Sequence, residues 1–226
     1  MTDLRPVYLS VALRPLRSAY AAGHAPLVDE YDASLVEVKA AVELREAGLA
    51  DPDWQDEETG QTLPNIEYQC IRGRAAEEAL QAHRKAFALM IFHTWEKHVC
   101  DYMDWPEYRG EKAFGDLQAD GWAIDPKGLK LLQKVANCIK HDSAELFDFD
   151  DSLFGNQIIL FGTDGVFSKK SKGKRVNREG FWTNWEDALC LTHEHILGFF
   201  DIVERSGQIT SRGAAEAKEK PPDRQP

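Results

Sequence analysis

The chain has 226 residues, 43% hydrophobic and 29% charged, enough for one well-cored domain or two small ones, and this composition excludes collagen-like, low-complexity and membrane-embedded classes. Its 27 Lys and Arg against 38 Asp and Glu give a formal net charge of -11, so the surface as a whole repels nucleic acid and anionic membrane unless basic residues are locally concentrated. The best N-terminal apolar run, Val7 to Leu13, contains Ser10 and ends at Arg14, so neither a signal peptide nor a membrane span is expected. Cys70, Cys100, Cys138 and Cys190 lie far apart without a C-x-x-C pair, which fits reduced thiols in a cytoplasmic protein.

Residues 1–25 carry Arg5, Arg14 and Arg17, with Pro6 and Pro15 inside the stretch, Pro26 just after it and no acid after Asp3, so the expectation there is a loosely packed arm. A first helix is predicted after Pro26, with Leu27, Tyr31, Leu35, Val38 and Val42 as its apolar stripe and Gly48 as its stop. The acidic, turn-rich stretch Asp51 to Pro64 predicts a solvated, mobile loop. A second helix, from Arg74 to Met103, has no internal Gly or Pro; Leu80, Phe87, Ile91, Trp95, Val99 and Tyr102 form its stripe, and it is expected to be the spine of the fold. Asp125-Pro126, an N-cap followed by proline at the first helical position, opens a third helix running to His141. A looser stretch to Gly180 holds one β-prone run, Ile158 to Phe161. The last helix is expected to start at a capping box in Thr183-Asn184-Trp185-Glu186, to carry Trp185, Leu189, Thr192, Ile196, Phe199 and Val203 on one side, and to stop at Gly207. Residues 208–226 have almost no apolar content and predict a disordered tail. The expected architecture is therefore all-α: about four main helices in a bundle around the long second one, occupying residues 26–207, with a loop-rich insertion.

Phosphate loops, dinucleotide fingerprints, nucleophile elbows and H-E-x-x-H zinc motifs are all missing. The run Asp148, Asp150, Asp151 lacks the turn glycine of a calcium loop, since Leu153 stands there, and reads as a solvated acidic turn. Cys138 with His141, and Cys190 with His193, have spacings that could share a metal, but packed core thiols are the simpler expectation; no metal site and no cofactor are predicted.

The third helix carries the most chemistry. With 100° per residue counted from Lys130, Lys134 falls at about 40°, Asn137 at about -20° and His141 at about 20°, while Leu132, Val135 and Ile139 occupy the opposite face. Two ammonium groups, an amide and an imidazole in one row suit a phosphodiester, because Lys neutralises its charge, Asn exchanges hydrogen bonds with it and His can move a proton. The plain alternative is a solvated face whose C-terminal histidine favours the helix dipole.

The string Leu131-Leu132-Gln133-Lys134-Val135-Ala136-Asn137-Cys138-Ile139-Lys140-His141, continuing to Ser143-Ala144-Glu145-Leu146 and Asp151-Ser152-Leu153-Phe154, resembles a signature of some bacterial members of the HEPN (higher eukaryote and prokaryote nucleotide-binding) superfamily. The preceding segment Phe92-His93-Thr94-Trp95-Glu96 is similar to their aromatic-x-x-W/F-E segment, and the likeness spans residues 80–205. It implies an all-α bundle, commonly a homodimer, belonging to a defence or mobile-element system with a cognate protein partner. In catalytic relatives it implies a metal-independent endoribonuclease. His141 then corresponds to the motif histidine and Asn137 to the polar residue after the arginine, but Ala136 stands where that arginine would be, leaving Lys134 and Lys140 as the nearest cations. Glu96 is expected beside the stripe as an ion-pair or orienting partner. The superfamily also includes non-catalytic dimerisation and antitoxin-like modules, in which Asn137 and His141 would only hold the turn after the helix.

The segment Ser168 to Arg178 concentrates Lys169, Lys170, Lys172, Lys174, Arg175 and Arg178 without an acid. It reads either as an arm for the RNA backbone, together with Lys130, or as a solubilising loop; lacking aromatics, it is not suited to base stacking.

Overall fold

The computed structural model describes residues 4–49, 53–154, 175–176, 182–183 and 185–209. It is mostly helical, in two compact units, one of residues 1–17 with 85–226 and the other of residues 18–84. Two long helices, α1 (Arg5–Glu46) and α2 (Asn65–Met103), contribute to both. Among the described residues, no helix is long and apolar enough to cross a membrane.

In the unit of residues 18–84, α1 and α2 form an antiparallel helical hairpin. Of the expected stripe, Leu27, Tyr31, Val38 and Val42 are half-buried and Leu35 is exposed, while Tyr20, Ser34 and Ala41 are the fully buried residues along α1, at steps of fourteen and seven. Small residues therefore hold the centre of the buried face. Ser34 donates its hydroxyl to the Tyr31 carbonyl at 2.6 Å, which satisfies it inside the helix. Across from it, a Cβ added to Gly73 of α2 would lie 3.5 Å from Ser34 Oγ, so the two backbones approach closely there. Arg72 bridges Glu37 at 2.8 Å and Glu30 at 3.3 Å, and Arg84 meets the His24 ring nitrogen at 3.2 Å.

The connection between these helices is more ordered than expected from its acidic composition. Strands β1 (Trp54–Gln55) and β2 (Thr62–Leu63) pair antiparallel, and Trp54 stacks on Tyr68 of α2 with ring centroids 4.1 Å apart. Asp56 closes the turn by accepting from the backbone of Thr59, the Thr59 hydroxyl and the backbone of Glu58. These bonds, the Thr59 backbone bond first among them, hold its carboxyl below the usual range.

The N-terminal stretch is helical from Arg5 rather than a loose arm, because Leu9 and Leu13 are buried in the unit of residues 1–17 and 85–226. Arg17 adds ion pairs to Asp201 and Glu204. The α2 stripe is confirmed in its central part: Phe87, Ile91, Trp95 and Val99 are all buried, while Tyr102 is exposed. Trp95 and Trp122 meet edge to face, 5.8 Å between centroids, and Trp122 lies in β3 (Trp122–Ala123). In the chain α3 (Ala113–Ala119) comes between them, and α4 (Pro126–His141) follows β3. Asp125 caps α4 by accepting from Gly128 N at 2.9 Å, with Pro126 at the first position as expected.

After α5 (Glu145–Phe149), the hairpin pair β4 (Arg175–Val176) and β5 (Trp182–Thr183) precedes α6 (Trp185–Ala188) and α7 (His193–Ser206). The expected last helix is thus broken in two. Leu189 forms a bridge with Phe154, and Cys190 N donates to the Leu153 carbonyl, which takes the backbone out of the helix. The capping box belongs to Thr192 and His195, which exchange reciprocal bonds at 3.2 and 3.0 Å. Gln208 and Ile209 form β6 against β3, so the first two residues of the expected tail are paired. Ile158 to Phe161 and residues 210–226 lie outside the described residues.

The turn after α4 is held by Asp142, whose backbone is left-handed (φ 52°) and whose carboxylate accepts the N–H groups of Trp185 and Glu186 at the start of α6. Asp142→Ala should therefore lower stability by about 1–2 kcal/mol, since a helix cap is lost and alanine tolerates positive φ poorly. Asn should restore most of it in urea melts, and an Ala variant as stable as wild type would show that this clasp contributes nothing.

Candidate functional site

Along α4 the buried residues Leu129, Leu132, Val135, Ala136 and Cys138 cover more than the opposite face, leaving a narrow outward row. Lys130, Lys134 and Asn137 are half-buried in that row, and His141, the last residue of the helix, is exposed.

A surface pocket of ≈ 250 Å³ sits against the row. Gln133, Lys134 and Asn137 line it from α4, and Arg109, Gly110, Glu111 and Lys112 line it from the turn before α3, with Glu145 from α5. Gly110 has a φ of +59°, a conformation that glycine takes without strain. A Cβ there would come 3.1 Å from Gln133 Nε2, so the turn lies close over α4. Arg109 stacks its guanidinium 4.8 Å from the Trp105 ring centroid, with Asp116 3.8 Å away.

The expected cations are paired. Lys130 reaches Glu111 at 3.0 Å and Lys134 reaches Glu145 at 2.8 Å. Glu111 and Glu145 are 52% and 68% exposed, so both pairs stand at the solvent edge, where such pairs contribute little and can be exchanged for a better anion.

The remaining predicted residues are placed differently. Glu96 accepts from or pairs with His93 Nδ1 at 2.7 Å, giving it a partner on its own helix. Lys140 is exposed, with its ammonium 5.8 Å from the Phe92 ring centroid. His141 is not among the residues lining the pocket. Near Arg109, Tyr108 accepts the Trp95 indole N–H at 3.2 Å, and burial pushes its phenol up to about 12, so it stays protonated at neutral pH. Lys169, Lys170, Lys172, Lys174 and Arg178 lie outside the described residues, and of Arg175 only the strand backbone is described.

Gln133 was within reach of the helical count, since it falls at about -60° and flanks Asn137. Arg109 and Lys112 carry no comparable signal, because a loop brings them to α4. Among the described residues no three His, Cys, Asp or Glu side chains converge as a metal cluster. Comparisons with protein-family models, characterised proteins and solved structures find no match for this chain.

Proposed function

We propose that this protein engages RNA, with the α4 row and the turn at residues 109–112 forming the seat for a backbone phosphate. The observation that carries this is the pocket itself, a cavity of ≈ 250 Å³ whose lining includes Arg109, Lys112, Lys134 and Asn137. Its lining holds three cations against two carboxylates, and both carboxylates sit at the solvent edge. A backbone phosphodiester carries the same single charge as either carboxylate, and Arg109 can take its two non-bridging oxygens with a planar fork that Lys cannot offer. The likeness to HEPN proteins supports the same reading and adds a homodimer, a bacterial defence or mobile-element setting and a cognate protein partner. Metal-independent cleavage is the catalytic form of the proposal, with His141 one helical turn beyond Asn137 as the proton carrier.

A non-catalytic binding module is the second reading, and Ala136 favours it. That residue is fully buried, so the motif arginine has no place on this helix. The role such a module gives to Asn137 and His141 has another occupant, since Asp142 holds the turn.

The test is RNA binding across a salt series, followed by fluorescence anisotropy of an unstructured oligonucleotide. Arg109→Gln and Lys134→Gln should each weaken binding and reduce the slope of log K against log salt by about 0.7, the value for one phosphate contact on a single strand. Thermal stability should change little in Arg109→Gln, whose side chain is half exposed, and somewhat more in Lys134→Gln, which loses the Glu145 pair of a side chain only 17% exposed. Unchanged slopes in both variants would remove this pocket from RNA binding.

A further inference from the structure

One wall of the pocket already holds an anion. Glu145 and Lys134 both line it, and the Glu145 carboxylate lies 2.8 Å from the Lys134 ammonium. The other charged groups of the lining are arranged differently. Glu111 reaches Lys130, which is outside the lining, and Arg109 stands 3.8 Å from Asp116, which is outside it too. Among the described residues Lys112 forms no ion pair, so Glu145 is the lining acid that closes on a lining cation. The two partners are unequal. Lys134 is mostly buried and Glu145 mostly exposed, so the ammonium is fixed in the wall while the carboxylate keeps its water and can swing away at little cost. Its tether is short, because α5 packs against α4 and carries Glu145 as its first residue.

We propose that Glu145 is a built-in competitor, an autoinhibitory carboxylate that occupies the Lys134 end of the phosphate seat until an RNA phosphate displaces it. This rests on the RNA-engaging reading and deepens it by naming how the site is regulated. The carboxylate is a monoanion, as a phosphodiester is, and presents oxygen acceptors to the same ammonium. Held by a short tether, it acts at an effective concentration on the order of millimolar or above. Its presence lowers the affinity of every competing anion by one common factor. A single dissolved phosphate, with few other contacts, is thereby kept out. An RNA strand gripped by Arg109 and Lys112 as well retains enough affinity to push Glu145 aside.

The test uses the full chain and follows an unstructured RNA oligonucleotide by anisotropy and inorganic phosphate by calorimetry. Glu145→Gln should tighten both by about 5-fold, the factor that one unit charge a few ångströms away exerts in water. Glu145→Ala should do the same, which covers a glutamine variant that folds poorly. Asp187→Asn, an exposed acid of α6 outside the lining, should change binding by less than about 2-fold, because salt screens a distant charge. The decisive arm is a double-mutant cycle. In a Lys134→Gln background the gain from Glu145→Gln should disappear, since the competitor has lost its target. A gain that persists there would be a general charge effect and would overturn the proposal. Weaker binding in both Glu145 variants would overturn it too, by showing that the carboxylate positions Lys134 for the ligand. Equal RNA binding by wild type and both Glu145 variants, all weakened by Arg109→Gln, would overturn the competitor and leave the RNA reading standing. Absence of RNA binding by wild type and by both Glu145 variants would overturn both.

Discussion

His141→Ala is expected to abolish RNA cleavage, with a loss of roughly 100-fold to 10,000-fold, the usual cost of removing a positioned acid or base. In the proposed catalytic form, the reaction is transfer of the phosphodiester to the neighbouring 2′-oxygen. The 2′-OH attacks phosphorus as the imidazole takes its proton, the P–O5′ bond breaks, and the leaving oxygen takes a proton from the imidazolium or from water, giving a 2′,3′-cyclic phosphate and a 5′-hydroxyl. In that proposal the developing negative charge on the phosphorane oxygens would fall to Lys134 and Arg109 of the pocket, which His141 does not itself line. No step in this sequence needs a metal, so wild type should cleave single-stranded RNA in EDTA, and DNA should survive because it lacks the attacking hydroxyl. His141 suits this role because it is exposed at the end of α4, one turn beyond Asn137, while Asp142 bears the structural duty at the turn. Lys134→Ala should weaken cleavage less. Cleavage that survives His141→Ala would end the assignment of this histidine. Wild type that is inert on varied RNAs, yet binds them through the pocket, would make the non-catalytic module the better reading.

The elements most legible in the sequence were those whose local signals agreed with their tertiary surroundings. For α4, Asp125 and Pro126 supply the cap, and an apolar face opposes a polar one, so its bounds and its outward row follow from local rules. The centre of α2 was equally clear, because Phe87, Ile91, Trp95 and Val99 repeat at four-residue steps and all are buried. The start of α1 was not. Pro15 and Pro26 each remove an intrahelical N–H and argue locally against a continuous helix, yet burial of Leu9, Leu13 and Tyr20 outweighs them. Its stripe is legible only in part for a related reason: Leu27, Tyr31, Val38 and Val42 are half-buried, but the most buried positions include Ser34 and Ala41, and neither registers as a large apolar residue. Between α6 and α7 the opposite occurred, since an unbroken apolar pattern conceals the bridge between Phe154 and Leu189 that interrupts the helix. Half of the candidate site came from periodicity on α4. The other half, Arg109, Gly110 and Lys112, reached it through a turn, and no local rule encodes that meeting.

Ala136→Arg should not restore a nuclease motif; it should unfold the protein or destabilise it by about 3 kcal/mol or more. Ala136 has no solvent exposure, and its helix presents Leu132 and Val135 to the core beside it, so a guanidinium there must displace packed side chains and lose its hydration. For a chain of this size that cost corresponds to a fall of roughly 6–12 °C in Tm, readable in a calorimetric scan. Arg109→Ala provides the contrast. Its side chain stands at the surface, stacked on Trp105 and 50% exposed, so the variant should melt close to wild type while losing RNA affinity. The pair of results separates two sources of the guanidinium. If position 109 supplies it, function is lost there without stability, and stability is lost at 136 without any gain of function. An Ala136→Arg protein that folds as wild type does and cleaves RNA faster would reverse that assignment, returning the arginine to α4 and leaving Arg109 as a surface residue stacked on a tryptophan.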